Sequence, residues 1–116
     1  MKQYIKQYEI WQAELPVLPN SHIQNGFRPV IIVSNNKANT HSPVVTIVPL
    51  TSRPKANLPT HVLLEGQGLR LASLALCEQV STVDRDCLKR KIGAVENAGD
   101  VNSLHRALAV QLGMAA

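Results

Sequence analysis

Aromatic side chains make up only 3% of this 116-residue chain. A surface that stacks several successive bases needs more of them, so the composition argues against recognition by several stacked bases. Acidic residues are few as well: eight, scattered, with no cluster of the kind that holds divalent cations. The four histidines, His22, His41, His61 and His105, lack metal-ligand spacing. The two cysteines, Cys77 and Cys87, match no zinc or redox pattern, and nothing in their spacing requires a disulfide. Cys77 ends the apolar run Leu74-Ala75-Leu76-Cys77, where a buried small thiol is expected. There is no phosphate-binding glycine loop, dinucleotide fingerprint or Gly-X-Ser-X-Gly elbow. No apolar stretch is long enough for a membrane span, and Met1-Lys2-Gln3-Tyr4 lacks the apolar core of a signal peptide. The expected setting is a reduced cytoplasm, with no cofactor.

What the chain has is a globular composition. Apolar residues reach 45%, enough for one core, so residues 1–116 are read as a single domain. With aromatics scarce, that core must be Val, Ile, Leu and Ala. Lys and Arg outnumber Asp and Glu by 12 to 8, a net charge of +4 that biases only mildly toward polyanions. The longest basic run, Lys89-Arg90-Lys91, reads as solvated surface.

The periodicity is mostly that of strands. Tyr8 to Leu15 alternates imperfectly and stops at Pro16 and Pro19. After a polar loop, Asn25-Gly26 signals a turn, and Phe27 to Val33 reads as a strand buried on both faces, with Pro29 near its start. Ser34 to Thr40 is expected to be a connecting loop. Pro43 to Leu50 is the next strand, and Thr51 to Pro59 a polar loop. His61 to Leu64 is a strand, Gly66-Gln67-Gly68 a turn, and Ser73 to Val80 an apolar strand. Thr82 to Asp86 reads as a turn or helical cap, and Lys91 to Val95 as a last short strand. From Asn97 onward Val101, Leu104, Leu108 and Leu112 recur at helical spacing, ending near Gly113. Short strands followed by one helix predict a mainly β protein: a small barrel capped by a C-terminal helix, or a sandwich.

Candidate chemistry lies at strand ends. Arg28 opens a buried strand, and an arginine on a rigid strand is able to clamp phosphate oxygens bidentately. Thr51 ends the following strand beside Ser52 and Arg53. From position alone the plainer readings, a surface arginine and a loop-capping threonine, are favoured.

Four segments, in register, change that balance. Asn25-Gly-Phe-Arg-Pro-Val-Ile-Ile-Val-Ser-Asn35 resembles the Gly-X-Arg-Pro-Val stretch of the MazF/PemK toxins, the endoribonuclease half of toxin–antitoxin pairs. Ser42-Pro-Val-Val-Thr-Ile-Val-Pro-Leu-Thr51 resembles the strand that carries the family's threonine. Leu58-Pro-Thr-His-Val62 is similar to the next strand's entry, and Ser73 to Asp84 to the Glu-Gln strand and turn. The resemblance covers nearly the whole chain. It implies an SH3-like barrel of the CcdB/PemK type with a C-terminal helix, usually a homodimer. It implies sequence-selective, metal-independent cutting of single-stranded RNA, leaving 2′,3′-cyclic phosphate and 5′-OH ends. By position, Arg28 and Thr51 become the catalytic pair, and Ser52, Arg53 and Gln79 the substrate contacts. Two segments depart from the family pattern: Lys6 to Trp11, and the loop Leu18 to Gln24, which bears on cut-site preference.

Arginine's pKa exceeds about 12, so Arg28 is read as a stabiliser of phosphorane-like charge and not as a base. His22 and His41 lie in loops, but no motif makes either the base. An antitoxin with an acidic tail is the expected partner, covering a groove that involves Arg28, Arg53 and Lys55. Two alternatives are a CcdB-like gyrase-poisoning toxin and a barrel that binds antitoxin or RNA without catalysis. The first calls for a terminal Trp-Gly-Ile, whereas this chain ends Gly113-Met-Ala-Ala116.

Overall fold

The β-branched runs form strands, and the periodic C-terminal segment forms a helix. The computed structural model describes residues 4–114, so the Met1–Gln3 start and the Ala115–Ala116 end lie outside it. Its strands are β1 (Glu9–Leu15), β2 (Gly26–Ile32), β3 (Val44–Thr51), β4 (His61–Leu64), β5 (Ser73–Leu76), β6 (Ser81–Asp84) and β7 (Leu88–Ala94). A short helix α1 (Asn36–His41) precedes β3, and α2 (Ala98–Gln111) closes the fold. The sheet is antiparallel in the order β4-β5-β3-β2-β1-β7, with β6 on the edge of β3 that β5 also uses. The sheet is not closed into a ring, so "barrel" describes it only loosely.

Side-chain alternation places the core on both faces of the central strands. In β2, Ile31 joins Ile10, Val48 and Leu50, while Val30 and Ile32 join Trp11, Ala13 and Ile47. This is the expected two-sided burial. The first layer is covered by α2, whose Leu104 and Ala107 are buried against it. Asn97 caps α2 by accepting the Asp100 N–H at 3.2 Å.

Three local expectations are corrected. Residues 36–41 are helix, not loop: the Asn35 side chain caps α1 at the Ala38 N–H, 2.8 Å away. Asn39 is fully buried, its amide donating to the Ser34 carbonyl and accepting the Ser34 hydroxyl. The apolar run from Ser73 does not stay extended to Val80; β5 stops at Leu76 and a single 3₁₀ turn, Cys77–Gln79, follows. The residues from Ser81 to Asp84 pair with β3 as a strand rather than forming a turn, and only Arg85–Cys87 turns. Cys77 is buried as expected, and neither cysteine is in a disulfide. Burial, with the neighbouring Glu78 charge, pushes its thiol up to about 12.

Glu9 is a buried carboxylate at the start of β1. It accepts the Lys6 N–H at 2.8 Å and Trp11 Nε1 at 3.0 Å, and pairs with Lys91 Nζ at 3.0 Å. Burial alone would raise its pKa, but these partners outweigh it and hold the carboxyl below its usual range. The contact ties the N-terminal segment to β1 and β7.

Candidate active site

β2 and β3 part company at one point. Their ladder runs Ile32↔Ile47, Ile31↔Val48, Val30↔Pro49 and stops. The next residue of β2 is Pro29, which has no N–H to offer a ladder. β3 continues on its other edge, where Leu50 and Thr51 pair with Ala75 and Leu74 of β5. The result is a fork, and extending the register past it would set Arg28 opposite Thr51.

Arg28 spans that fork. Its Nε donates to the Asn25 carbonyl at 2.8 Å and its Nη1 to the Leu50 carbonyl at 3.4 Å. Asn25 ends the loop before β2, and Gly26, which opens β2, takes a positive φ of 73°. Among the described residues no carboxylate pairs with the guanidinium, which keeps donors free for a ligand. Burial, and then the charge of Arg53, lower its pKa from the ordinary arginine value. Like charge held near like charge favours an anion between them.

Thr51 is 5% exposed at the end of β3. Its Oγ1 accepts the Arg53 N–H at 3.2 Å, which fixes the turn and leaves the hydroxyl proton able to donate. Arg28, Thr51, Ser52 and Arg53 all line one open groove of about 460 Å³. Sequence reading missed part of it. Arg90 of β7 and Arg70 of the β4–β5 loop form its far side, and Gln12 and the exposed Phe27 also line it. The signal for Arg90 was strand parity within Lys89-Arg90-Lys91: Lys91 turns to Glu9 and Arg90 to the groove. For Arg70 there was none.

Two residues expected at the groove, Lys55 and Gln79, lie elsewhere. Lys55 is not part of the groove lining, so the expected Arg28–Arg53–Lys55 surface loses one member. Gln79 does not line it either: its Oε1 accepts the Gln24 N–H at 2.7 Å, and its Nε2 donates to the His22 carbonyl at 3.3 Å. It holds the β1–β2 loop. His22 and His41 are exposed, and the lining contains no histidine and no acidic residue. Among the described residues no three His, Cys, Asp or Glu side chains come close enough to hold a metal ion.

An open antiparallel sheet with a C-terminal helix, and an arginine-lined groove at a strand fork, define a small β protein with a basic cleft. The model of the PemK-like, MazF-like toxins of type II toxin–antitoxin systems matches residues 6–112, and the chain belongs to that family. It is 33% identical over 109 residues to an Endoribonuclease MazF of Staphylococcus saprophyticus, covering 91% of this chain and 89% of the relative. Among solved structures it is similar to the Mycobacterium tuberculosis toxin MazF-mt6, with a TM-score of 0.78 and 25% identity, covering 93% of this chain and 99% of that one. A mycobacterial endoribonuclease solved in complex with its cognate antitoxin gives a TM-score of 0.77 at 27% identity, covering 97% of this chain and 98% of that one.

Proposed function

We propose that this toxin is an endoribonuclease that cuts single-stranded RNA without a metal ion, with Arg28 and Thr51 as its catalytic residues. The observation that carries the reading is the groove itself: four arginines and no acidic residue line it, with Arg28 and Thr51 among the lining at its fork. Such a lining repels cations and draws in a polyanion. A staphylococcal relative named as an endoribonuclease supports the same reading.

RNA supplies its own nucleophile. The ribose 2′-oxygen bonds to the adjacent phosphorus, the bond from phosphorus to the 5′-oxygen breaks, and the leaving oxygen takes a proton. The products are a 2′,3′-cyclic phosphate and a 5′-OH end. The charge that builds on the phosphoryl oxygens is met by the free guanidinium donors of Arg28 and by the Thr51 hydroxyl. Arg28 remains charged throughout, as a guanidinium does at neutral pH. The lining has no histidine or carboxylate to accept the 2′-OH proton, so solvent takes it and charge stabilisation is the protein's main contribution. Ser52 and Arg53 contact the strand beside the cut.

The partner is an antitoxin whose acidic segment folds into the same groove, as fits a family in which one solved neighbour is held by its cognate antitoxin. The toxin works as a homodimer in the cytoplasm. No helix among the described residues is long and apolar enough to cross a membrane. The gyrase-poisoning alternative gains nothing from the structure: the sole tryptophan, Trp11, is buried and bonded to Glu9.

The test is incubation of the purified protein with mixed-sequence RNA in EDTA, followed by analysis of the ends. Cleavage to 5′-OH ends, abolished by Arg28→Ala, supports the reading. Absence of cleavage, or cleavage only on adding a divalent cation, overturns it.

A further inference from the structure

The groove has more positive charge than one phosphate needs. Arg28 is fixed at the fork by the carbonyls of Asn25 and Leu50 and cannot swing across to the far wall. Thr51 sits at the same fork, so the phosphate under attack lies there. Arg90 stands on another strand: it is the register partner of Gln12, which is in turn the partner of Pro29. Two strand spacings set β7 roughly 10 Å from β2.

Arg70 and Arg90 line the same groove, and an unusually close backbone crossing ties the loop that carries Arg70 to β7. A Cβ on Gly68 would lie 2.0 Å from the Ile92 carbonyl oxygen, and one on Gly93 would lie 1.9 Å from that of Gln67. Only glycines allow that approach, and it fixes the loop against β7. The Gln67 side chain secures it further, donating to Asp100 Oδ2 and accepting the Glu96 N–H, each at 3.1 Å. The loop thus presents Arg70 at a fixed place beside β7. The ion pairs found nearby, Lys91 with Glu9 and His61 with Glu78, involve neither Arg70 nor Arg90. Gln12 of β1 stands between Arg90 and β2, and the remaining lining beside it, Leu69 and Ile92, is neutral.

We propose that Arg70 and Arg90 form a second anion subsite, which holds the phosphate next to the scissile one on the same RNA strand. The proposal rests on the reading of the groove as an RNA cleft. The neutral floor between the two basic walls takes the intervening sugar. Productive binding therefore needs more than one phosphodiester, and Arg70 and Arg90 act on substrate affinity, not on the chemical step.

The experiment uses a short RNA carrying the wild-type cut site, with a single flanking phosphate replaced by a neutral methylphosphonate. At one flanking position the wild-type KM rises roughly tenfold with kcat little changed. In the Arg70→Ala/Arg90→Ala variant KM is already raised, and the neutral linkage adds nothing further. Both side chains are exposed, so the variant folds. The same RNA with a 2′-O-methyl block at the cut site binds without being cleaved. For it, the slope of log Kd against log salt falls in the variant by about 0.7 for each phosphate that the protein no longer neutralises. An unchanged KM and salt slope in the variant, or an equal methylphosphonate penalty in both proteins, overturns the subsite. Wild-type protein that binds the blocked RNA but cuts no RNA overturns the nuclease reading instead, and the salt slope then decides the subsite by itself.

Discussion

The side-chain carbonyl of Gln79 accepts the backbone N–H of Gln24 at 2.7 Å, across a separation of 55 residues. Its other end donates to the His22 carbonyl, so one amide pins two points of the β1–β2 loop. One residue past Gln24, the Asn25 carbonyl accepts Arg28 Nε. Gln79 therefore positions Arg28 through the loop. Gln79→Ala lowers kcat about tenfold on every substrate, and adds no further loss in an Arg28→Ala background. Amide exchange at Gln24 becomes fast in this variant and stays slow in Gln79→Glu, which keeps the acceptor. A Gln79→Ala loss that is additive with Arg28→Ala would mean direct substrate contact instead.

At the fork, charge alone is not enough. Arg28→Lys keeps the positive charge but cannot donate to both the Asn25 and Leu50 carbonyls while facing a phosphate. Its kcat/KM falls by about 10²–10³, close to that of Arg28→Ala. Thr51→Val loses on the order of 10² and Thr51→Ser recovers most of it, because only the hydroxyl acts on the phosphate. Single-turnover cleavage of one RNA measures all four.

Glu9 makes stability depend on acid. Its folded pKa is depressed, so its contribution is complete above the unfolded value of about 4.3 and is lost as pH falls through the lower folded value. Glu9→Gln removes that part of the acid transition and costs about 2 kcal/mol at neutral pH, where the charged hydrogen bonds are lost. Thermal melts of both proteins from pH 2 to 7 show the two curves converging at the acid end.

Gly68→Ala is severely destabilising. The added methyl would meet the Ile92 carbonyl at a residue whose φ is +97°, so both space and backbone oppose it. A loss of about 3 kcal/mol is expected, measured by urea unfolding. Gly66→Ala, with φ +68° but open space around its Cβ, loses about 1 kcal/mol.

The thiols differ in reach. Cys77 is buried with its pKa pushed up to about 12, so its thiolate is scarce at pH 8. Iodoacetamide on the native protein labels Cys87, which is half-buried, and leaves Cys77 until the fold is denatured. Peptide mass analysis distinguishes them.

Most strands were legible because β-branched runs such as Val30-Ile31-Ile32 admit little else, but β6 was not, since its exposed Ser81 to Asp84 lacks such a run. α1 was not, because Asn35 to His41 has a loop's composition, and its helix depends on Asn39 being buried against Ser34. The end of β5 was hidden because a buried 3₁₀ turn is as apolar as a strand, as Cys77 demonstrates. In the groove, Arg28, Thr51, Ser52 and Arg53 follow from a motif that reads along the chain. Arg70 reaches the groove only through the Gly68–Gly93 crossing, which no local pattern encodes. Gln79 was legible as a residue that matters, but its work on the loop is tertiary.

The guanidinium at the fork bridges strands where the backbone ladder gives out. Arg28 stands in for a missing rung, joining the loop before β2 to the carbonyl of Leu50 in β3. The group proposed to meet the phosphate is thus also a strut of the sheet. Substitution at Arg28 removes two contacts that join strands, whereas substitution at Thr51 removes only the local bond from the Arg53 N–H. Inactive forms meant to preserve the shape an antitoxin grips are better made at Thr51.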